Sequence, residues 1–192
     1  MADSDVPTLD PIASPIGVDE IYIVDDVAGS PLDKSITLET LGLATLHVRQ
    51  EEATTVAAGG SSSTTWNPLD INTVVTNQLT GASLASSRVT LGTGVYWVRA
   101  YSFGHQSDKH RLRLFDISNT AVVLHGACGG HANDGDTSSG GNRMEGRLVV
   151  TGATIFELQL YTQVGKSGDG LGTPTGDGFT EYYNEMIVRR CL

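Results

Sequence analysis

Along the 192-residue chain, apolar and polar positions alternate in short runs and seldom recur at helical spacing. The stretch VYWVRAYSF (95–103) sets Val95, Trp97, Tyr101 and Phe103 on one side of an extended strand, interrupted by Arg99. Tyr96, Val98 and Ala100 fall on the other side. A strand with one wetted face alternates apolar with polar. Here both sides look ready for burial, so something must cover the second. HRLRLFD (110–116) alternates Leu112 and Leu114 with Arg111 and Arg113. TIFELQLYTQV (154–164) turns Phe156, Leu158 and Leu160 inward and Glu157 and Gln159 out to solvent. INTVVTNQ, SRVTLGTG, AVVLHGA, RMEGRLVVTG and the closing GFTEYYNEMIVRRCL read as further strands. About eight short strands joined by glycine-rich turns predict an all-β fold, an antiparallel β-sandwich.

The first 65 residues follow a different pattern. MADSDVPTLDPIASPIGVDE is spotted with proline and is expected to be extended. EIYIVDD then forms a short strand, with Ile21 and Ile23 on one face and Tyr22 and Val24 on the other. KSITLETLG follows as a second strand or a brief helical turn. This segment has too few apolar residues to be stable alone and is expected to need a partner surface. Residues 45–65 end in GGSSSTT without periodicity and predict a linker. The expected organisation is therefore a module over 1–44, a linker over 45–65 and a sandwich over 66–192.

Charge sharpens that division. The formal net charge is −10, and residues 1–44 hold nine acidic side chains against Lys34 alone. The remainder holds thirteen acids against eleven bases. An acidic segment of this kind is either a solvated tail or a docking segment for a basic partner. No basic stripe is present to offset phosphate repulsion, so nucleic acid is not an expected partner. No charged-then-apolar leader opens the sequence, and no apolar run approaches the roughly 20 residues that span a bilayer. Neither a secretory leader nor membrane insertion is expected. Two cysteines, Cys128 and Cys191, cannot build a disulfide framework. Reduced thiols are the expectation, with a single Cys128–Cys191 bridge as the alternative.

Candidate chemistry is sparse. HANDGDTSSGGN (131–142) and KSGDGLGTPTGDG (166–178) hold Asp134, Asp136, Asp169 and Asp177 among glycines. Such oxygens can bind Ca²⁺, but the EF-hand spacing is missing and plain polar loops are the expectation. His105, His110, His125 and His131 fit no common zinc pattern, so neither a metal nor another cofactor is expected. No G-x-S-x-G elbow is present, and Glu157 reads as an ordinary solvated residue. The chain is not expected to be an enzyme, although carboxylates that meet only in space stay open. His131, Asn133 and Asn142 are candidate surface-loop contacts to a sugar or protein, alongside ordinary turn chemistry.

The succession GTGVYWVRAYSF, HRLRLFDISNTAVVLHG, RLVVTGATIFELQLYTQ and EYYNEMIVRR resembles a known family over residues 64–192. It is similar to the TNF-like and complement-head-like jelly roll at the ends of many bacteriophage fibre and decoration proteins. Gly94-Val95-Tyr96, Leu112-Arg-Leu114 with Asp116 and Asn119, and Thr154-Ile-Phe156-Glu-Leu158-Gln-Leu-Tyr161 carry the likeness. DEIYIVDD followed by KSITLETL resembles the short N-terminal module by which many phage fibres attach to the virion. The resemblance implies a homotrimer, with Tyr96, Val98, Trp97 and Tyr101 as candidates for the threefold contact. A monomeric sandwich covered by loops is the alternative. It also implies a docking module that uses Ile21, Tyr22, Ile23 and Val24. The function implied is a virion structural protein assembled in the host cytoplasm, a capsid decoration (cement or head fibre) protein. Its partners would be its own copies and the major capsid or tail proteins of the virion. A tail fibre that recognises a host surface glycan or protein, and a lectin-like carbohydrate-binding module, are the alternatives.

Overall fold

A computed structural model describes residues 20–24, 33–37, 41–130 and 139–191. Thirteen strands are present among them and no helix. β1 (Glu20–Val24) and β2 (Asp33–Thr37) pair antiparallel as a separate two-stranded sheet, with Tyr22 opposite Ser35. All other strands belong to a jelly-roll sandwich of two antiparallel sheets.

The front sheet has the order β11-β8-β13-β3-β5, formed by Ser139–Val150, Gly94–His105, Glu181–Arg190, Thr45–Glu52 and Thr73–Asn77. The back sheet runs β10-β9-β12-β7-β6, formed by Ala121–Gly130, Lys109–Asp116, Thr154–Thr162, Arg88–Leu91 and Ser83–Ala85. β4 (Thr65–Pro68) joins the back sheet beside the second half of β12, with Trp66 opposite Tyr161.

The period-2 pattern explains the core. Leu46 and Val48 of β3, Val98 and Ala100 of β8, and Met186 and Val188 of β13 point inward from the front sheet. Leu112 and Leu114 of β9 and Phe156, Leu158 and Leu160 of β12 meet them from the back. Each such strand places its alternate residues outside, as the pleat requires. The sheets approach most closely at the β10 and β11 edges. There a Cβ on Gly126 would stand 2.7 Å from the Arg143 carbonyl oxygen, a distance only glycine permits. Asp116 closes the β9–β10 turn by accepting hydrogen bonds from the Asn119 backbone and side-chain nitrogens at 2.9 and 2.8 Å.

Two expectations are corrected here. Residues 45–52 are not linker but β3, a strand between β13 and β5 whose Leu46 and Val48 are fully buried. Its polar outer residues, including His47, Arg49 and Glu51, hid the alternation. Ala44 is also buried, so the sandwich begins before residue 45. The Cys128–Cys191 alternative also fails, because both thiols are free. Cys128 lies in β10 opposite Arg111, whereas the Cys191 amide donates to Val95 at the other end of the sandwich.

The strand directions define two ends. At one, Thr45 pairs with Arg189 and the Arg190 amide donates to the Ala44 carbonyl, so the chain enters and leaves the sandwich together. At the other lie His105, Lys109 and Gly130, with Lys109 opposite Gly130 and the His105 amide donating to Gly170.

Candidate assembly face

The outer side of the front sheet carries the second face of β8. Register lines up its side chains in rows across four strands. Arg143, Tyr101, Glu185 and Arg49 form one row; Glu145, Arg99, Ile187 and His47 form the next. Arg147, Trp97, Arg189 and Thr45 form a third. Trp97 is 45% exposed although it stands on a central stretch of sheet, and Val149 at the β11 edge is 52% exposed.

Exposed Arg99, Arg143, Glu145, Arg147 and Arg189 surround the open Trp97 ring. The Trp97 Nε1–H donates to Glu145 Oε1 at 2.8 Å, which satisfies the only polar atom of the indole and leaves hydrocarbon to face solvent. That hydrogen bond, followed by one from Arg143, holds the Glu145 carboxyl below the usual carboxylate range. Tyr101 meets Phe103 edge-on, with ring centroids 4.9 Å apart. The Tyr101 ring lies over Gly141, where a Cβ would collide with it. His47 Nε2 and Glu185 Oε1 lie 2.7 Å apart, and the Arg49 guanidinium sits 3.9 Å above the Tyr182 ring. Between these groups are two shallow hollows. One of about 280 Å³ is lined by Arg99, Tyr101, Arg143 and Glu185; one of about 120 Å³ is lined by Trp97, Arg99, Glu145 and Ile187.

The interface candidates divide between the two faces of β8. Trp97 and Tyr101 stand on this open side. Tyr96, 1% exposed, and Val98 are core residues of the sandwich and cannot reach a second chain. The phenol of Tyr96 donates to the Gly92 carbonyl at 2.9 Å. Residues missed by sequence reasoning complete the patch: Ile187 and Arg189 from β13, Arg143 and Arg147 from β11. Their alternation was legible, but the neighbours of β8 were not.

The other candidates fall elsewhere. Asn142 is a correction: it is 3% exposed, inward-facing in β11 opposite Ser102, and offers no surface-loop contact. His131 and Asn133, like Asp134 and Asp136, lie outside the described residues. Ile21, Tyr22, Ile23 and Val24 lie in β1 as expected of a strand. Asp169 is engaged by His105 Nδ1 at 3.2 Å and Lys166 Nζ at 3.5 Å, and Asp177 accepts the Phe179 amide at 3.0 Å. Among the described residues no three His, Cys, Asp or Glu side chains converge as a metal site would require.

Glu157 is the remaining correction. It is 6% exposed on the outer side of the back sheet, where Arg88 Nε donates to it at 2.9 Å and Gln159 Nε2 at 2.5 Å. Arg113 donates through Nε to Gln159 at 2.7 Å and stacks 3.9 Å over Trp66 and 4.7 Å over Phe115. Long basic side chains lying flat across the sheet bury a carboxylate that strand alternation alone assigns to solvent.

No family model matches the sequence, and no curated protein matches it. Among solved structures it is similar to murine APRIL at pH 8.0, with a TM-score of 0.50 and 10% identity over 77% of this chain and 98% of that chain. A structure of murine APRIL at pH 5.0 matches with the same TM-score, identity and coverage. The globular domain of zebrafish complement 1qA has a TM-score of 0.47 and 14% identity, over 76% of this chain and 93% of that one. The likeness to APRIL, with two antiparallel sheets in this order, identifies the fold as a TNF-like jelly roll.

Proposed function

We propose that this chain is a homotrimeric knob of a phage virion, a capsid decoration protein mounted through residues 1–44 and assembled through the outer side of its front sheet. The observation that carries the trimer is Trp97, an indole with its N–H satisfied and its ring left in water on a central strand. An exposed tryptophan set among arginines and a carboxylate is the kind of anchor that association surfaces use. In a cyclic trimer the contact is heterologous, so Trp97 need not meet its own copy. The arginines of one protomer (Arg99, Arg147, Arg189) can then face the carboxylates of the next. The mount is supported by charge and by position. The acidic segment enters the sandwich at the end where Thr45 pairs with Arg189, which leaves the opposite end free to project.

The mass of the full chain in solution tests assembly: three times 20.3 kDa is expected. A monomer at micromolar concentration would sink the trimer. Trp97→Lys should yield a folded monomer. For the virion role, particles lacking the protein should still infect but break more readily on heating, because a bridging subunit stabilises a shell by mass action. Intact particles that no longer adsorb would instead make it a receptor-binding fibre.

A further inference from the structure

The back sheet holds a feature that neither assembly nor mounting uses. Register sets Trp66 of β4, Tyr161 of β12, Arg111 of β9 and Cys128 of β10 in one straight row on its outer side. Next to Cys128, Gly129 lies over the buried His110 ring, where a Cβ would stand 2.6 Å from His110 Cε1, so the strand carries no larger side chain there. A hollow of about 380 Å³ results, lined by Trp66, Tyr161, Arg111, Lys109, Cys128 and Gly129. Small-molecule sites begin at about 300 Å³.

We propose that this hollow binds a saccharide ring bearing a carboxylate, the terminal sugar of an acidic glycan. Trp66 and Tyr161, with centroids 5.6 Å apart and planes at 61°, offer two differently tilted ring surfaces, Tyr161 and the part of Trp66 not covered by Arg113, against which the C–H face of a pyranose packs. Arg111 supplies the charge. Its Nε donates to the Gly126 carbonyl at 2.9 Å, which fixes the guanidinium at the rim with its two-pronged Nη side as the carboxylate fork. Exposed Lys109 adds a second cation, and no carboxylate lines the hollow. Apolar walls with positive charge at one edge match an amphipathic, singly charged sugar better than a neutral or cationic one. The row lies toward the Lys109–Gly130 end of the sandwich, away from where residues 1–44 enter. The site stands on the back sheet alone and does not depend on the trimer. If the trimer forms, three such sites act together and avidity multiplies a weak contact.

The test uses the full chain with 3′-sialyllactose and, as its uncharged match, lactose, followed by saturation-transfer NMR and tryptophan fluorescence. Sialyllactose should bind, weakening as salt is raised, and lactose should bind at least about tenfold more weakly, as the loss of one charge-assisted fork predicts. Trp66→Ala and Arg111→Gln should each lower sialyllactose affinity by about tenfold or more. Trp66 also packs on Arg113, so a second measurement avoids any folding defect. Alkylating Cys128 with iodoacetamide should block binding in the unaltered chain, while Cys128→Ser should bind normally and resist the block. Equal binding of lactose, binding unaffected by alkylation, or no binding of either sugar would overturn the proposal. So would binding seen only after residues 1–40 are removed, since the hollow would then be a seat for that acidic segment.

Discussion

The outer sides of the two sheets have similar ingredients, aromatic rings among arginines and carboxylates, yet they end in different states. On the back sheet Arg113 lies over Trp66 and Phe115 and reaches Gln159, which reaches Glu157, which reaches Arg88. Much of that side is thereby covered from within the chain. On the front sheet Trp97 has its partner, Glu145, beside it and not above it, so the ring stays open. The difference teaches that composition does not decide whether a face is finished. Register alone does not decide it either, since Arg147 and Arg189 stand directly beside Trp97. What decides is whether a long side chain lies across the ring, as Arg113 does over Trp66.

The largest effect expected from breaking this contrast comes at two adjacent residues of β8. Tyr96→Ala opens the core and should cost about 3–5 kcal/mol by chemical denaturation. Trp97→Ala should cost a monomer much less, about 1 kcal/mol, while abolishing assembly, because it removes a half-exposed ring and one surface hydrogen bond. Similar losses of monomer stability from both would erase the distinction between the two faces.

A smaller contrast is expected between two glutamates. Glu157→Ala strands Arg88 and the buried Gln159 and should destabilise by about 1–3 kcal/mol. Glu145→Ala, on the open face, should change the urea midpoint hardly at all but expose the Trp97 N–H, seen as a shifted indole resonance.

Acid sharpens the same comparison with a smaller signal still. The Glu145 carboxyl is depressed, so the stability it lends is present at neutral pH and lost as pH falls below the usual carboxylate range toward its folded value. In a Trp66→Phe background, Trp97 fluorescence should shift across that window, and adding Glu145→Gln should flatten the curve. The least effect is expected at alkaline pH. Burial, then the charges of Glu181 and Glu52, push the Tyr183 phenol up to about 12. Its contribution is therefore complete below the ordinary tyrosine range and lost as pH rises toward 12. Tyr183→Phe should remove a late-ionising step from the ultraviolet titration of the folded chain.

Much of the sandwich was legible because Leu112/Leu114 and Phe156/Leu158/Leu160 alternate cleanly with polar residues. β3 was not, because TLHVRQEE places only two apolar residues inward and its remaining inner positions are Gln50 and Glu52. Gln50 is accommodated by a hydrogen bond from Asn184 at 2.7 Å, a pairing across 134 residues that no local pattern reveals. The two-sidedness of VYWVRAYSF was visible in the sequence, but not which side was core. Tyr96 and Trp97 are equally apolar, and only the position of the back sheet separates them. The row Trp66–Tyr161–Arg111–Cys128 was illegible for a related reason: its four members come from strands far apart in sequence.

The place of β13 in the front sheet bears on how the molecule is made. It lies between β8 and β3, so the sheet has a gap in its middle until residues 181–190 arrive. While the ribosome is still adding the preceding residues, β3 and β8 have their ladder edges unpaired and Val98 and Leu46 unpacked. Such edges invite pairing with other nascent chains. Closure across residues 45 to 189 is a long-range event and a slow one. Removing even half of β13 should therefore yield an aggregating product, and not a slightly weakened knob.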